Sequence, residues 1–116
     1  MAFKSGFERN LDTQLKAAGV VYDYEKHKVP YILSYNYIPD FYIPSTNIYV
    51  EAKGFLRSTD QIKMRAVKRQ HPELDIRFVF MEAEKKVPRT KSTHAQWAER
   101  HGFPWAELRI PEEWFT

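Results

Sequence analysis

The chain reads as an α/β protein in the order α-β-β-β-α-β-α, with a central mixed sheet flanked by helices. Three features predict this. A capped segment with helically spaced apolar residues opens the chain. Two short strand-like runs, Asp40 to Ile43 and Ile48 to Lys53, meet across a Pro-Ser-Thr-Asn turn. The nearly all-apolar run Ile76 to Met81 then follows a helix-like segment, as a strand buried in mid-sheet would. A length of 116 residues sets a single domain over 1–116. With 43% hydrophobic and 16% aromatic residues there is enough for one core. A core of that size is marginal alone, so dimerisation would help it.

Ser5-Gly6-Phe7-Glu8 has capping-box spacing, and Phe7, Leu11, Leu15 and Ala18 recur at helical intervals before Gly19. This predicts a helix over about 6–18. Val21 to Val29 is aromatic and β-branched, then alternating, which predicts an exposed strand ended by Pro30. Residues 32–38 read as a connection. The pair 40–43 and 48–53 forms an antiparallel hairpin stopped by Gly54. Ser58-Thr59-Asp60 introduces a helix with Ile62, Ala66 and Val67 on its apolar side, and Pro72 lies beyond its end. Ser92 or Thr93 caps a last helix through Trp97 to about Arg100, before Gly102. The aromatics of the Ile110-to-Phe115 tail are expected to pack back on the core.

The chain has no cysteine, which excludes a disulfide scaffold and any thiolate zinc site. Neither a membrane span nor a secretory leader is expected, so a cytoplasmic protein is. The formal charge is +3, and the basic residues cluster. Lys63 and Arg65 lie in one group, Lys85, Lys86, Arg89 and Lys91 in another. Such clusters suit phosphate contacts to nucleic acid or, equally, a solvated helix face and a basic loop.

The segment that carries chemistry is Pro39-Asp40, ten residues, then Glu51-Ala52-Lys53. Side chains two apart on a strand share a face, so Glu51 and Lys53 stand together with Tyr49, while Ile48, Val50 and Ala52 point into the core. The hairpin returns Asp40 beside Glu51. Two carboxylates can hold a Mg²⁺ that keeps several waters, and an adjacent ammonium can orient an attacking water. The competing reading is a surface salt bridge of Lys53 with either carboxylate. His27, His71, His94 and His101 lack metal-ligand spacing and read as surface or cap-region residues. Tyr35, Tyr37 and Tyr42 read as strand-face packing, with stacking on an exposed base the alternative.

The motif has the PD-(D/E)xK form, and the stretches around it sharpen it. Phe3-Lys4-Ser5-Gly6-Phe7-Glu8, Lys28-Val29-Pro30-Tyr31, Pro39-Asp40-Phe41, Val50-Glu51-Ala52-Lys53-Gly54, Gln70 to Arg77, Arg100-His101-Gly102 and Ile110-Pro111-Glu112-Glu113-Trp114 together resemble the phage endonuclease I family. These are the junction-resolving members of the PD-(D/E)xK nuclease superfamily, and the resemblance runs from Phe3 to Trp114.

The resemblance implies a restriction-endonuclease-like core and a homodimer that cuts four-way (Holliday) junctions and other branched DNA. It implies Mg²⁺, with Mn²⁺ able to substitute, at two ions per site. Asp40 and Glu51 correspond to its metal-binding carboxylates and Lys53 to its catalytic lysine. Glu8, a capping residue by its spacing, corresponds to a further acidic metal-site residue. It would come from the partner subunit, because about 1–31 is exchanged across a bridge formed here by 32–38. That bridge reads as shorter than in the best-known members, and the sequence to Thr116 does not include the basic tail that some relatives carry. A phage origin would place the protein in the bacterial host cytoplasm. Two other functions remain open: a nicking or homing-type endonuclease using the same site on linear duplex, and a non-catalytic nucleic-acid-binding module.

Overall fold

A computed structural model describes residues 3–116 and divides the chain into two compact units, Met1–Tyr35 and Asn36–Thr116. In the first, Gly6–Ala17 forms helix α1. Ser5 caps it by accepting the Glu8 backbone N–H at 3.2 Å. At the other end Gly19 (φ +70°) donates to the Lys16 carbonyl, and Val20 donates to that of Leu15. That bond pair is a Schellman stop, which requires the left-handed conformation glycine adopts without strain.

The strand expected over Val21–Val29 does not form. No partner strand lies beside it among the described residues, and Glu25 at φ 52° bends the run. Its aromatic half instead returns to α1. The Tyr24 ring meets that of Phe3 edge-on at 4.7 Å, and the Tyr24 hydroxyl donates to Glu8 Oε2 at 3.0 Å. Val21, Val29, Tyr31 and Ile32 are left exposed.

The second unit is built on a mixed four-stranded sheet in the order β1-β2-β3-β4. Strand β1 is Phe41–Ile43, β2 Ile48–Lys53, β3 Asp75–Phe80 and β4 Trp105–Glu107. The β1/β2 pair is antiparallel, while β2/β3 and β3/β4 are parallel. Helix α2 (Ser58–Gln70) links β2 to β3, and α3 (His94–Arg100) links β3 to β4. The observed order is therefore α-β-β-α-β-α-β. The early strand is lost and a late one gained, because three residues are too short to show a strand period in sequence. No described helix is long and apolar enough to cross a membrane.

Two right-handed crossovers stepping the same way along a sheet place their helices on one face. Accordingly Met64 of α2 and Ala95, Trp97 and Ala98 of α3 share one core with Ile76, Phe78 and Phe80 of β3. Val67 packs on the core as expected, but Ile62 is exposed and Met64 is the buried residue of α2 instead. The opposite sheet face carries a smaller cluster of Ile48, Val50 and Trp114, the last from the 3₁₀ turn Glu112–Trp114. The sheet is thus helix-covered on one face only within this unit, the other being closed by the tail. Thr93 caps α3 with a full capping box to Gln96.

Candidate active site

Hairpin register brings the carboxylates together. Phe41 pairs with Val50 and Ile43 with Ile48, so continuing the ladder by one position sets Asp40 opposite Glu51. The turn that fixes this register has Asn47 at φ 57°, which asparagine tolerates, and Tyr42 donates its hydroxyl to Asn47 Oδ1 at 2.7 Å. Asp40 Oδ2 accepts the Ala52 N–H at 2.9 Å, and Glu51 Oε1 accepts the Asp40 N–H at 3.3 Å. Each acid is therefore held by the other's strand.

Glu51 is only 3% exposed. The parallel register explains why: Tyr49, Glu51 and Lys53 pair with Ile76, Phe78 and Phe80, so they lie on the face carrying the larger core. The expectation that the Ile48-Val50-Ala52 side faces the main core is corrected here. Ile48 and Val50 bury in the smaller cluster, and Ala52 is exposed. The competing salt bridge of Lys53 does form, to Glu51, but on the covered face of the sheet rather than on a solvated surface. Lys53 Nζ lies 3.6 Å from Glu51 Oε2, with the lysine side chain itself 20% exposed.

Two residues complete this environment that no sequence period singled out. Tyr37 donates its hydroxyl to Glu51 Oε1 at 2.9 Å. Burial pushes the Tyr37 phenol well above its ordinary range, and the nearby charges of Glu51 and Asp40 push the same way. It therefore remains a donor at any ordinary pH. Asp60, on the first turn of α2, places Oδ1 3.6 Å from Lys53 Nζ. Its position after the strand was visible as a helix-start signal, but its reach to Lys53 was not.

Two hard oxygen donors thus meet beside the Lys53 ammonium, Glu51 buried and Asp40 exposed. A buried carboxylate next to a second one calls for positive charge beyond one lysine at 3.6 Å. Asp40 and Glu51 therefore fit a divalent cation that keeps waters in its remaining positions. Among the described residues, no three His, Cys, Asp or Glu side chains converge as a metal site. Glu8 belongs to the first unit, where Tyr24 occupies its Oε2 and its own N–H is taken by Ser5. Its side chain does not close the capping box that its spacing suggested.

Lys63, Arg65, Lys85, Lys86, Arg89 and Lys91 are all exposed, the first two on α2 and the others on the loop before α3. Lys85 Nζ lies 5.1 Å from the centroid of the Phe55 ring. Of the histidines, His94 departs from the surface reading: it is fully buried, accepts the Leu56 N–H through Nε2 at 3.0 Å and pairs Nδ1 with the Lys85 carbonyl. It ties the loop after Lys53 to the start of α3. Burial holds the His101 imidazole below its ordinary value, with the charges of Arg65 and Arg100 adding to the effect.

Comparison with known proteins shows two phage relatives and a matching family model. The chain is 40% identical over 117 residues to "Endonuclease I" of Escherichia phage T7, covering 97% of this chain and 78% of that protein. It is 39% identical over 114 residues to "Endodeoxyribonuclease 1" of Enterobacteria phage T3, covering 95% and 74% respectively. A family model described as phage endonuclease I matches residues 1–116. The chain belongs to the phage endonuclease I family.

Proposed function

We propose that this protein is a divalent-metal-dependent DNA endonuclease that resolves four-way junctions and other branched DNA. The observation that carries the reading is the buried Glu51 carboxylate set against Asp40 and Lys53. Family membership and the two relatives, named as an endonuclease and an endodeoxyribonuclease, support DNA as the substrate.

Asp40 and Glu51 would hold Mg²⁺ or Mn²⁺, with Glu8 as the third carboxylate where two ions bind. When bound, the metal supplies charge neutralisation at the scissile phosphate and a water of lowered pKa. The chain's own residues do the rest. Lys53 presents an ammonium that orients the attacking water and meets the charge growing on the phosphate oxygens. Tyr37 and the Asp40 N–H keep Glu51 Oε1 in place, so Oε2 stays directed at the Lys53 side. The six exposed basic residues would grip phosphates without reading bases, as a shape-selective enzyme needs.

The acting form is a homodimer with residues of about 1–31 exchanged across the bridge 32–38, in the bacterial host cytoplasm. Two observations support exchange: Glu8 lies in a separate compact unit, and the apolar residues Val21, Val29 and Ile32 have no cover in their own unit. Segments of that kind are ready material for a second copy.

The test compares Mg²⁺-dependent cleavage of a four-way junction with cleavage of a linear duplex of the same sequence. Preference for the junction, abolished by Asp40→Ala with binding retained, is expected. Equal cutting of the linear duplex would replace junction resolution with simple nicking. Mixing the inactive variants Glu8→Ala and Asp40→Ala under conditions that exchange subunits should restore activity, since one intact composite site re-forms. No restoration would defeat the shared site.

A further inference from the structure

Strands β2, β3 and β4 run parallel, so α2 and α3 each finish where the next strand begins, at the end of the sheet opposite Lys53. The two helix ends meet there. Lys68 of α2 donates through Nζ to the carbonyl of Gly102, just past α3, at 3.0 Å, and lies 5.2 Å from the centroid of the Phe103 ring. Arg65 of α2 and Arg100 of α3 bring further charge to this seam, and the charges of both reach the His101 imidazole. Arg100 donates through Nη2 to Ser92 Oγ at 3.0 Å. The acceptors of Lys68 and Arg100 are a carbonyl and a hydroxyl, which fix the side chains without neutralising them. Among the described residues none of the three cations has an ion pair. Glu99, the acid beside Arg100 in sequence, accepts the Trp105 Nε1–H at 3.0 Å instead.

Cations at helix C-termini ordinarily answer the helix dipole. Each C-terminus presents about half a negative charge, so two present about one, and three permanent cations exceed that by about two. The His101 imidazole reports the sign of the field. Burial holds it below its ordinary value, and Arg65 and Arg100 lower it further, where a dominant dipole would raise it. Like charges held together without a counter-ion favour an anion from outside. The seam is open, with Arg65 and Arg100 exposed, which suits a polyanion that releases counterions more than a single enclosed ion. Arg65 and Lys68 stand seven and ten residues beyond Ser58, or about 10–15 Å along α2. That is the length of about three to four base pairs of duplex.

We propose that Arg65, Lys68, Arg100 and His101 form a second phosphate-binding site, which grips the DNA backbone a few base pairs from the bond that is cut. The inference rests on the DNA-cleaving reading given under Proposed function and adds Lys68, Arg100 and His101 to the DNA interface.

The double variant Arg65→Gln/Arg100→Gln tests it. With a four-way junction in Ca²⁺, affinity should fall about tenfold and the salt-dependence slope should shrink by about 2. The single-turnover cleavage rate at saturating protein in Mg²⁺ should stay at the wild-type value, because neither residue touches the reacting phosphate. Wild-type affinity and slope would overturn the inference. A second measurement needs no binding variant: the pH midpoint of the His101 imidazole resonance, assigned by its loss in His101→Gln, should rise when the junction is added in Ca²⁺. A midpoint unmoved by DNA would overturn the inference, and so would one raised by inorganic phosphate, added without Ca²⁺, but not by DNA. Failure of the DNA-cleaving reading looks different, since the unaltered protein would then leave DNA uncut in Mg²⁺.

Discussion

Tyr37→Phe isolates one bond of the site. It deletes the hydroxyl that donates to Glu51 Oε1 at 2.9 Å and leaves the ring in place. The remaining partner of that oxygen is the Asp40 N–H, at a longer 3.3 Å. A hydrogen bond to a charged group contributes about 1.5–3 kcal/mol, and because Tyr37 is only half-buried the lower end applies, about 1.5 kcal/mol. For a chain of this size about 1 kcal/mol moves the midpoint by roughly 4 °C, so Tm should fall by about 6 °C. Thermal unfolding followed by circular dichroism in EDTA reads this directly. Cleavage of a four-way junction should slow about tenfold if the same energy is lost from positioning Glu51. In a Glu51→Gln background the bond becomes neutral to neutral, and the penalty should shrink to about 1 kcal/mol or less. A Tm change below about 1 °C with wild-type cleavage would show that Tyr37 does not hold Glu51.

Other changes have equally definite outcomes. His94→Ala removes a fully buried ring and both of its partners, Leu56 and Lys85, and should cost about 3 kcal/mol, read as a lower urea midpoint with unchanged slope. His101 is held below its unfolded value of 6.5, so above that pH it contributes nothing. As pH drops through 6.5 the unfolded chain takes up a proton that the folded one resists, and stability should fall. His101→Gln should remove that component of the Tm profile between about pH 7.5 and about pH 5. The double variant Lys63→Ala/Arg65→Ala should weaken DNA binding regardless of sequence and reduce the salt-dependence slope by about 2, measured by anisotropy in Ca²⁺. An unchanged slope would remove these two residues from the DNA interface.

Much of the second unit was legible in sequence because its signals are local. Residues 48–53 appear as the strand expected, β3 falls one residue before its expected start, and Thr93 caps the helix it precedes. The ten-residue spacing from Asp40 to Glu51 matches a hairpin whose turn sets the register, so their meeting needed no long-range information. The Val21–Val29 pattern misled because a strand exists only beside another strand, and a β pattern cannot say whether a partner is present.

By itself, then, the sequence determined that Asp40, Glu51 and Lys53 come together, because a tight hairpin and a two-residue strand period are set over a few residues. It did not determine which face of β2 is covered. Both faces carry apolar neighbours, and the choice fell to the two crossovers that bring α2 and α3 over the Glu51 side. That decision buries the Glu51 carboxylate beside Lys53. It also creates the roles of Tyr37, Asp60 and His94, whose partners lie 14, 7 and 38 residues away in the chain. Contacts of that kind depend on how the elements pack, and only the tertiary structure fixes that packing.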